Sequence, residues 1–258
     1  MLYMTGLSHR YLLLLFILSG WSLFVAGDCS RRKPAPRLER LEMIRKYKLA
    51  IEEPSGLTFT SSNDALLTVS DKTNGVYKIS LTGGIQKTFP YTGYDVEGVT
   101  SDGRTSGMWI VEERVRDVVY LNNRGDVVYQ FHVDIAKHRE NMGLEGIAYN
   151  PSNGHLYLLN EQNPGLLVET DLSGNILRKN KLNFANDYAG IFYEKKDNCL
   201  WIVSDESRSV SCCTLEGKLI KGYSINVIKP EGIAVNSVTK EIYIVSDATA
   251  ELYVFRYY

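Results

Sequence analysis

Short apolar segments separated by turn residues repeat five times between Pro54 and the end of the chain. In each repeat an apolar segment follows a glycine, and the spacings between these glycines are 42, 48, 44 and 42 residues. The five glycines are Gly56, Gly98, Gly146, Gly190 and Gly232. A second segment, rich in β-branched and aromatic residues, follows in each repeat as "ALLTVSD", "MWIVEER", "LYLLNEQ", "LWIVSDE" or "IYIVSDA". Segments of this length and composition, bounded by turns, indicate strands.

A third strand follows in every repeat and a fourth in the first four, but the fifth repeat ends at Tyr258 without one. The segment Tyr47–Glu53 precedes the first repeat and alternates like a strand, so we expect it to supply the missing one. A repeat of 40 to 50 residues is typical of propellers. The sequence therefore predicts an all-β fold, a five-bladed β-propeller with an N-terminal strand closing the last blade. Short helices are expected at "RLERLEMIRK" (37–46) and "VDIAKHRENM" (133–142).

The N-terminus differs from the rest of the chain. An apolar run of 17 residues, Tyr11–Gly27, stands behind Arg10 and ends abruptly at "DCSRRKPAPR". It predicts an export or anchoring segment, with three interpretations open: a cleaved signal peptide, a lipoprotein signal with acylation of Cys29, or an uncleaved membrane anchor. We divide the chain into a signal or membrane-anchor segment (1–28), a linker (29–44) and the propeller (45–258).

Composition and charge exclude some functions. The formal net charge is −1, which gives no field that would attract nucleic acid, and no nucleic-acid partner is expected. Besides Cys29, the chain has Cys199, Cys212 and Cys213, without a CxxC spacing or a neighbouring histidine. We interpret these three as small strand residues rather than as metal ligands.

Acidic residues recur at two positions of the repeat. The residue before the glycine and the residue that ends the second strand should meet at one rim, because the second strand runs antiparallel to the first. At these ten positions eight residues are acidic: Asp71, Glu97, Glu113, Glu145, Glu161, Asp205, Glu231 and Asp247. Ser55 and Ala189 are the two exceptions.

Three of these acids, Glu97, Glu145 and Glu231, come from the innermost strands and should converge on the propeller axis. Ionised carboxylates so close together repel, so a cation, basic groups or protonation must relieve the repulsion. Because all candidate ligands are oxygens and come from separate blades, calcium fits better than zinc or magnesium. We therefore predict a calcium site held by these three glutamates, with structural hydrogen-bonded carboxylates as the alternative.

The second-strand acids have an ordinary interpretation as well, since an acid at a strand end often accepts backbone hydrogen bonds. The arginines beside them, Arg114 in "EERVRD" and Arg208 in "SDESRS", either recognise a ligand at the rim or neutralise neighbouring acids. A possible ligand rim therefore comprises Asp71, Glu113, Arg114, Glu161, Asp205, Arg208 and Asp247.

The stretches "DVEGV", "VEER", "GLEGIAY", "NEQNP", "SDESR" and "PEGIAV" cover nearly all of the repeat region. In this order the chain resembles the SdiA-regulated (YjiK-like) proteins of bacterial envelopes. The resemblance implies a five-bladed propeller behind an N-terminal membrane segment, associated with a calcium site. It implies no established enzymatic activity.

The leading functional hypothesis is a membrane-attached, calcium-binding propeller on the extracytoplasmic side of the envelope. It would bind a protein or small-molecule ligand at the acidic rim. The alternative is a calcium-dependent hydrolase of the lactonase or phosphoesterase type, in which the metal polarises a carbonyl or activates water. Against it, the sequence offers no general base distinct from the metal ligands, and we predict no catalytic residue. A third alternative is a purely structural metal.

Overall fold

The computed structural model describes residues 38–135 and 143–258. All regular elements in these residues are strands. The signal or anchor segment, the linker up to residue 37 and most of the expected helix at 133–142 lie outside the described residues.

Five antiparallel sheets confirm the predicted five-bladed propeller. The first blade comprises β3 (Pro54–Phe59), β4 (Ala65–Ser70), β5 (Gly75–Ser80) and β6 (Ile85–Thr92). The second comprises β7 (Val96–Ser101), β8 (Met108–Glu112), β9 (Asp117–Leu121) and β10 (Val127–His132). The third comprises β11 (Leu144–Asn150), β12 (His155–Asn160), β13 (Leu166–Thr170) and β14 (Ile176–Lys181).

The last two blades include strands from the N-terminal part of the chain. The fourth comprises β15 (Gly190–Glu194), β16 (Cys199–Ser204), β17 (Ser209–Cys213) and β18 (Leu219–Ser224), and β1 (Glu39–Arg40) adds to β18 in parallel. The fifth comprises β19 (Pro230–Asn236), β20 (Glu241–Ser246), β21 (Glu251–Arg256) and, as its outer strand, β2 (Glu42–Lys48).

The closing strand is confirmed, but its expected position was wrong. It runs from Glu42 to Lys48 rather than from Tyr47 to Glu53, and it pairs antiparallel with β21. The helix expected at residues 37–46 was therefore also wrong. The side chains of "RLERLEM" favour a helix, yet the open edge of β21 offers this segment a full ladder of hydrogen bonds, and the tertiary pairing overrides the local propensity.

Five apolar clusters lie between adjacent blades and form the core. Successive side chains of a strand point to opposite faces of its sheet, so each blade contributes to two clusters. In β16, for example, Trp201 packs towards the fifth blade, whereas Leu200 and Ile202 pack towards the third. The cluster that joins the fifth blade to the first includes Val245 and Leu57 and closes the ring.

The glycine of each repeat is required by the close approach of the innermost strands. A Cβ atom added to Gly56 would lie 2.7 Å from the Cα of Gly98, and one added to Gly190 would lie 2.1 Å from the carbonyl oxygen of Glu231. Any side chain here would collide with the backbone of the next blade. The glycines thus bring the residues that precede them together near the axis.

Candidate functional site

One cavity of about 250 Å³ contains all eight acids of the two repeat columns. Of its twelve lining residues ten are acidic and one, Lys229, is basic. Its walls are formed by Asp71, Glu97, Glu113, Glu145, Glu161, Asp187, Ala189, Asp205, Glu206, Lys229, Glu231 and Asp247. The two columns therefore meet at one rim, as the antiparallel order of the first two strands requires. We call this space the acidic cavity.

The inner glutamates Glu97, Glu145 and Glu231 have strongly raised pKa values. Each keeps only partial access to solvent. Burial raises the pKa of Glu97 and of Glu145 well above the ordinary range, and neighbouring carboxylates add to both shifts, with Glu231 acting on each. Burial likewise raises the pKa of Glu231 to about 8, with Asp247 adding to the shift and Lys229 opposing it.

The fourth and first blades do not contribute an inner carboxylate. Ala189 occupies the inner position of the fourth blade, and Ser55 occupies that of the first. The Ser55 hydroxyl donates a 2.7 Å hydrogen bond to the backbone carbonyl of Glu97 and links the inner strands of the first two blades. The inner acids therefore come from the second, third and fifth blades.

Glu113 is the most buried acid of the second column. Burial raises its pKa to about 7, and the backbone N–H of Gly143, which donates a 3.0 Å hydrogen bond to its carboxylate, opposes this shift. Burial also raises the pKa of Asp71, Glu161 and Asp205. Burial therefore disfavours the ionised form of these carboxylates.

A third column of the repeat, three residues before each glycine, contributes Asp187 and Lys229 to the lining of the cavity. It reads Glu53, Asp95, Gly143, Asp187 and Lys229. Asp187 is buried, and it accepts hydrogen bonds from the Ser204 hydroxyl and from the backbone N–H groups of Asp205 and Glu206. We did not select this column from the sequence, although the repeat alignment contains it.

The two rim arginines lie in turns that follow the second strands of their blades. Arg114 Nε lies 3.0 Å from Asp95 Oδ2, with the arginine side chain about half exposed. Arg208 has a left-handed backbone, and its backbone N–H donates a hydrogen bond to the carbonyl of Asp205. The charge of Arg208 opposes the rise that burial causes in the pKa of Asp205. The pairing of Arg114 supports a neutralising role for this residue.

Two groups of three carboxylates have the spacing of a metal site. Within each group the oxygens lie within 4.8 Å of one another. Among residues 38–135 and 143–258 the groups are Asp71 with Asp95 and Glu97, and Glu113 with Glu145 and Glu161. Each group combines one inner glutamate with an acid from the end of the second strand of the preceding blade. Glu231, the third predicted ligand, belongs to neither group.

The opposite face of the propeller has a cavity of different chemistry. This cavity of about 360 Å³ shares no lining residue with the acidic cavity. Hydroxyl and aromatic side chains dominate its walls, among them Thr58, Thr100 and Phe192. Phe192 stands at the position that is Thr or Ala in the other four blades. The strongly acidic character is therefore confined to one mouth of the propeller.

The expected lipidation site Cys29 and the apolar run before it lie outside the described residues. Across residues 38–135 and 143–258 there is no helix with the length and apolar character needed to cross a bilayer.

Solved structures similar to this chain share its fold. Glutaminyl cyclase from Myxococcus xanthus matches with a TM-score of 0.67 and 14% identity, over 85% of this chain and 97% of that one. A chain of a nidogen/laminin complex matches with a TM-score of 0.54 and 15% identity, over 75% and 72% of the two chains. A streptogramin B lyase matches with a TM-score of 0.49 and 19% identity, over 82% and 72%. At these identities the first two similarities establish the propeller fold alone.

The sequence itself gives a narrower relationship. The family model described as SdiA-regulated matches residues 40–256, which span all five blades. The repeat motifs that carry the acidic cavity, including "DVEGV", "GLEGIAY" and "PEGIAV", lie within this match. The chain therefore belongs to the SdiA-regulated family.

Proposed function

We propose that this protein is a membrane-attached, calcium-binding propeller of the bacterial envelope that binds a ligand at its acidic rim. The supporting observation is the acidic cavity, where ten carboxylates face a single lysine. Burial, with mutual repulsion adding to it, raises the pKa of the inner glutamates. A bound cation replaces the protons that these groups otherwise retain and removes the repulsion.

The donor set favours calcium over other cations. Every acidic wall residue offers carboxylate oxygens. Within residues 38–135 and 143–258 no histidine or cysteine lines the cavity, so these residues do not supply the nitrogen and sulfur ligands that zinc prefers. Calcium accepts six to eight oxygens in irregular arrangements, which suits ligands contributed by separate blades, whereas magnesium needs a near-ideal octahedron. In this proposal Glu97, Glu145 and Glu231 hold the ion, and neighbouring acids complete its surroundings.

The ligand at the rim is proposed to be a protein. Three apolar side chains stand exposed next to charged residues of the turns near the cavity: Tyr94 next to Asp95, Val115 next to Arg114, and Ile228 next to Lys229, which lines the cavity itself. Their exposed fractions are 56%, 36% and 58%. Exposed apolar side chains grouped on one surface are typical of protein interaction sites. Attachment to the membrane through the N-terminal segment would place this surface outside the cytoplasm.

Calorimetric titration of calcium chloride into the chelator-treated full chain in detergent tests the metal site. The parent protein is expected to bind calcium, and Glu97→Gln, Glu145→Gln and Glu231→Gln are each expected to weaken binding at least about tenfold, because each removes a charged ligand. Glu216→Gln is the matched control, since Glu216 lies outside the cavity and pairs with Arg178. Equal calcium binding by the three variants and the parent would refute the assignment.

A further inference from the structure

Two buried cysteines of the fourth blade lie in contact. The sulfur atoms of Cys199 in β16 and Cys212 in β17 are 3.2 Å apart, and both side chains are buried. A disulfide requires about 2.0 Å between the sulfurs, so they need to approach by little more than an ångström. We propose that Cys199 and Cys212 form an intramolecular disulfide when the protein meets a peroxide, and that this bond ties β16 to β17.

The strand register selects this pair of cysteines. Trp201 lies opposite Cys212 in the antiparallel ladder, and Cys199 shares a face with Trp201 because it is two residues away on the same strand. Cys213 points to the opposite face and belongs to the core cluster between the third and fourth blades. Cys199 and Cys212 belong to the cluster between the fourth and fifth blades. Cys213 is therefore held away from Cys199.

The surroundings of Cys212 favour its thiolate. The sulfur atoms of Cys199 and Cys212 lie within hydrogen-bond distance of each other, and Lys221 lies opposite Cys212 in β18. These two neighbours lower the pKa of Cys212 against the effect of burial. The Lys221 ammonium group also lies over the Trp201 ring, 5.1 Å from its centre, which keeps this positive charge beside the pair. Cys212 is accordingly the attacking sulfur.

The oxidation balances with hydrogen peroxide as the oxidant. The Cys212 thiolate attacks one peroxide oxygen, the O–O bond breaks, and a sulfenic acid and hydroxide form. The Cys199 sulfur then attacks the Cys212 sulfur, the S–O bond breaks, and the leaving hydroxide takes the Cys199 proton as water. The first hydroxide takes the proton that Cys212 had released. Two thiols are oxidised to one disulfide, and one peroxide is reduced to two waters.

The bond would reinforce the part of the ring where the chain closes. The cluster around the cysteines includes Leu41, which follows β1, and Tyr257, which follows β21. Both residues belong to the segments that join the two ends of the described chain to the fourth and fifth blades. This inference does not depend on the acidic cavity, because none of the three cysteines lines it.

Peptide mapping of the full chain tests the proposal. The protein is treated with hydrogen peroxide, denatured in N-ethylmaleimide and digested with trypsin. Cleavage after Lys196, Arg208 and Lys218 places Cys199 in peptide 197–208, and Cys212 with Cys213 in peptide 209–218. We expect the two peptides to be linked. The mass of the linked product should be the sum of the two peptide masses less two hydrogens, plus one N-ethylmaleimide on Cys213. Reduction before labelling should separate them and label all three cysteines.

Fragmentation of the linked peptide identifies which neighbouring cysteine carries the bond. Cys213→Ala should retain the link, whereas Cys212→Ala should lose it. Separate peptides with all three cysteines labelled after peroxide treatment would overturn the proposal, as would a link through Cys213. The parent digest decides the question even if a variant fails to fold, because fragmentation alone distinguishes the two bonds.

Discussion

Lys229 forms an ion pair with Asp247 inside the acidic cavity, and among the described residues that line this space it is the only basic one. Its positive charge also opposes the rise that burial causes in the pKa of the nearby Glu231. Lys229 stands in the third column of the repeat, at the position that is Glu53 or Asp95 in the first two blades. Lys229 of the fifth blade thus partly neutralises the acids that line the cavity.

Replacing Lys229 by glutamine should tighten calcium binding. The ammonium group competes with the cation for the same field, so its removal leaves Asp247 and Glu231 without a positive partner. We expect the dissociation constant for calcium to fall roughly three- to tenfold, an effect of about 1 kcal/mol. Calorimetric titration of the Lys229→Gln full chain measures it.

Lys46→Gln is the control for this change, because Lys46 pairs with Glu251 on the outer part of the fifth blade. This control should bind calcium like the parent. Weaker calcium binding by Lys229→Gln would mean that the lysine positions the ligands rather than competing with the ion.

The stability of the metal-free protein should decrease as the pH rises. Glu231 and Glu113 have pKa values of about 8 and about 7 in the folded protein, against an ordinary value of 4.5. Between these limits the folded state holds protons that the unfolded state has lost, so the stabilising contribution is complete below pH 4.5 and is lost as the pH passes through 7 and 8. Thermal unfolding in a chelator should show the melting temperature falling from about pH 5.5 to pH 9.

Acids with lowered pKa act in the opposite direction at low pH. Hydrogen bonds from His155, Tyr157 and Arg178 lower the pKa of Glu169 against the effect of burial. The stabilising contribution of Glu169 is present above its ordinary pKa and is lost as the pH falls through its pKa in the folded state.

Excess calcium should remove most of the decline in melting temperature on the alkaline side, because bound cation takes the place of the protons. A melting temperature that rises from pH 6 to pH 9 in the chelator would contradict this account.

The five repeat glycines of the innermost strands should tolerate no side chain. In Gly190→Ala the new methyl group would lie 2.1 Å from the carbonyl oxygen of Glu231 in the next blade, and the backbone would have to move. We expect a loss of about 3 kcal/mol or more, or failure to fold. Urea unfolding measures it. Gly84→Ala is the control, since its added methyl group would meet only the Ser80 hydroxyl at 3.4 Å. Equal stability of the two variants would contradict the close approach of the inner strands.

The mature N-terminus should begin at Cys29. Under the lipoprotein interpretation, the signal before this residue is removed and acyl chains anchor the cysteine in the membrane. Intact-mass measurement of the protein extracted from membranes should give residues 29–258 plus lipid. An intact mass from Met1 would establish an uncleaved anchor, and an unmodified chain starting near Asp28 would establish a cleaved signal peptide.

The sequence contained enough information for the architecture because the repeat is carried by residues with a steric purpose. Gly98 and its counterparts must be glycine for the inner strands to approach, so their spacing reveals the number of blades. The convergence of the acids followed from the antiparallel order of the strands. In contrast, the helix expected at residues 37–46 was wrong, because the pairing of β2 with β21 depends on a strand edge about 200 residues away in the chain.

The third column of the site was overlooked for a different reason. The column combines three acids with a glycine and a lysine, so it has no common residue type. These residues share a role instead, because each accepts a hydrogen bond from the backbone N–H of the acid that ends the second strand. The backbone carbonyls of Asp95 and Lys229 accept from Glu113 and Asp247. The side-chain carboxylate of Asp187 accepts from Asp205. Such a role becomes visible only when the strands are assembled.

The most direct test of the calcium site is a crystal structure of the full chain grown with terbium in place of calcium. Terbium is an oxygen-seeking ion of similar size, and its anomalous scattering locates it without reference to the protein density. The account predicts a strong peak in the acidic cavity, within about 2.3 to 2.6 Å of carboxylate oxygens of Glu97, Glu145 and Glu231. A cavity without a peak, or an ion bound only by acids outside these three, would contradict it.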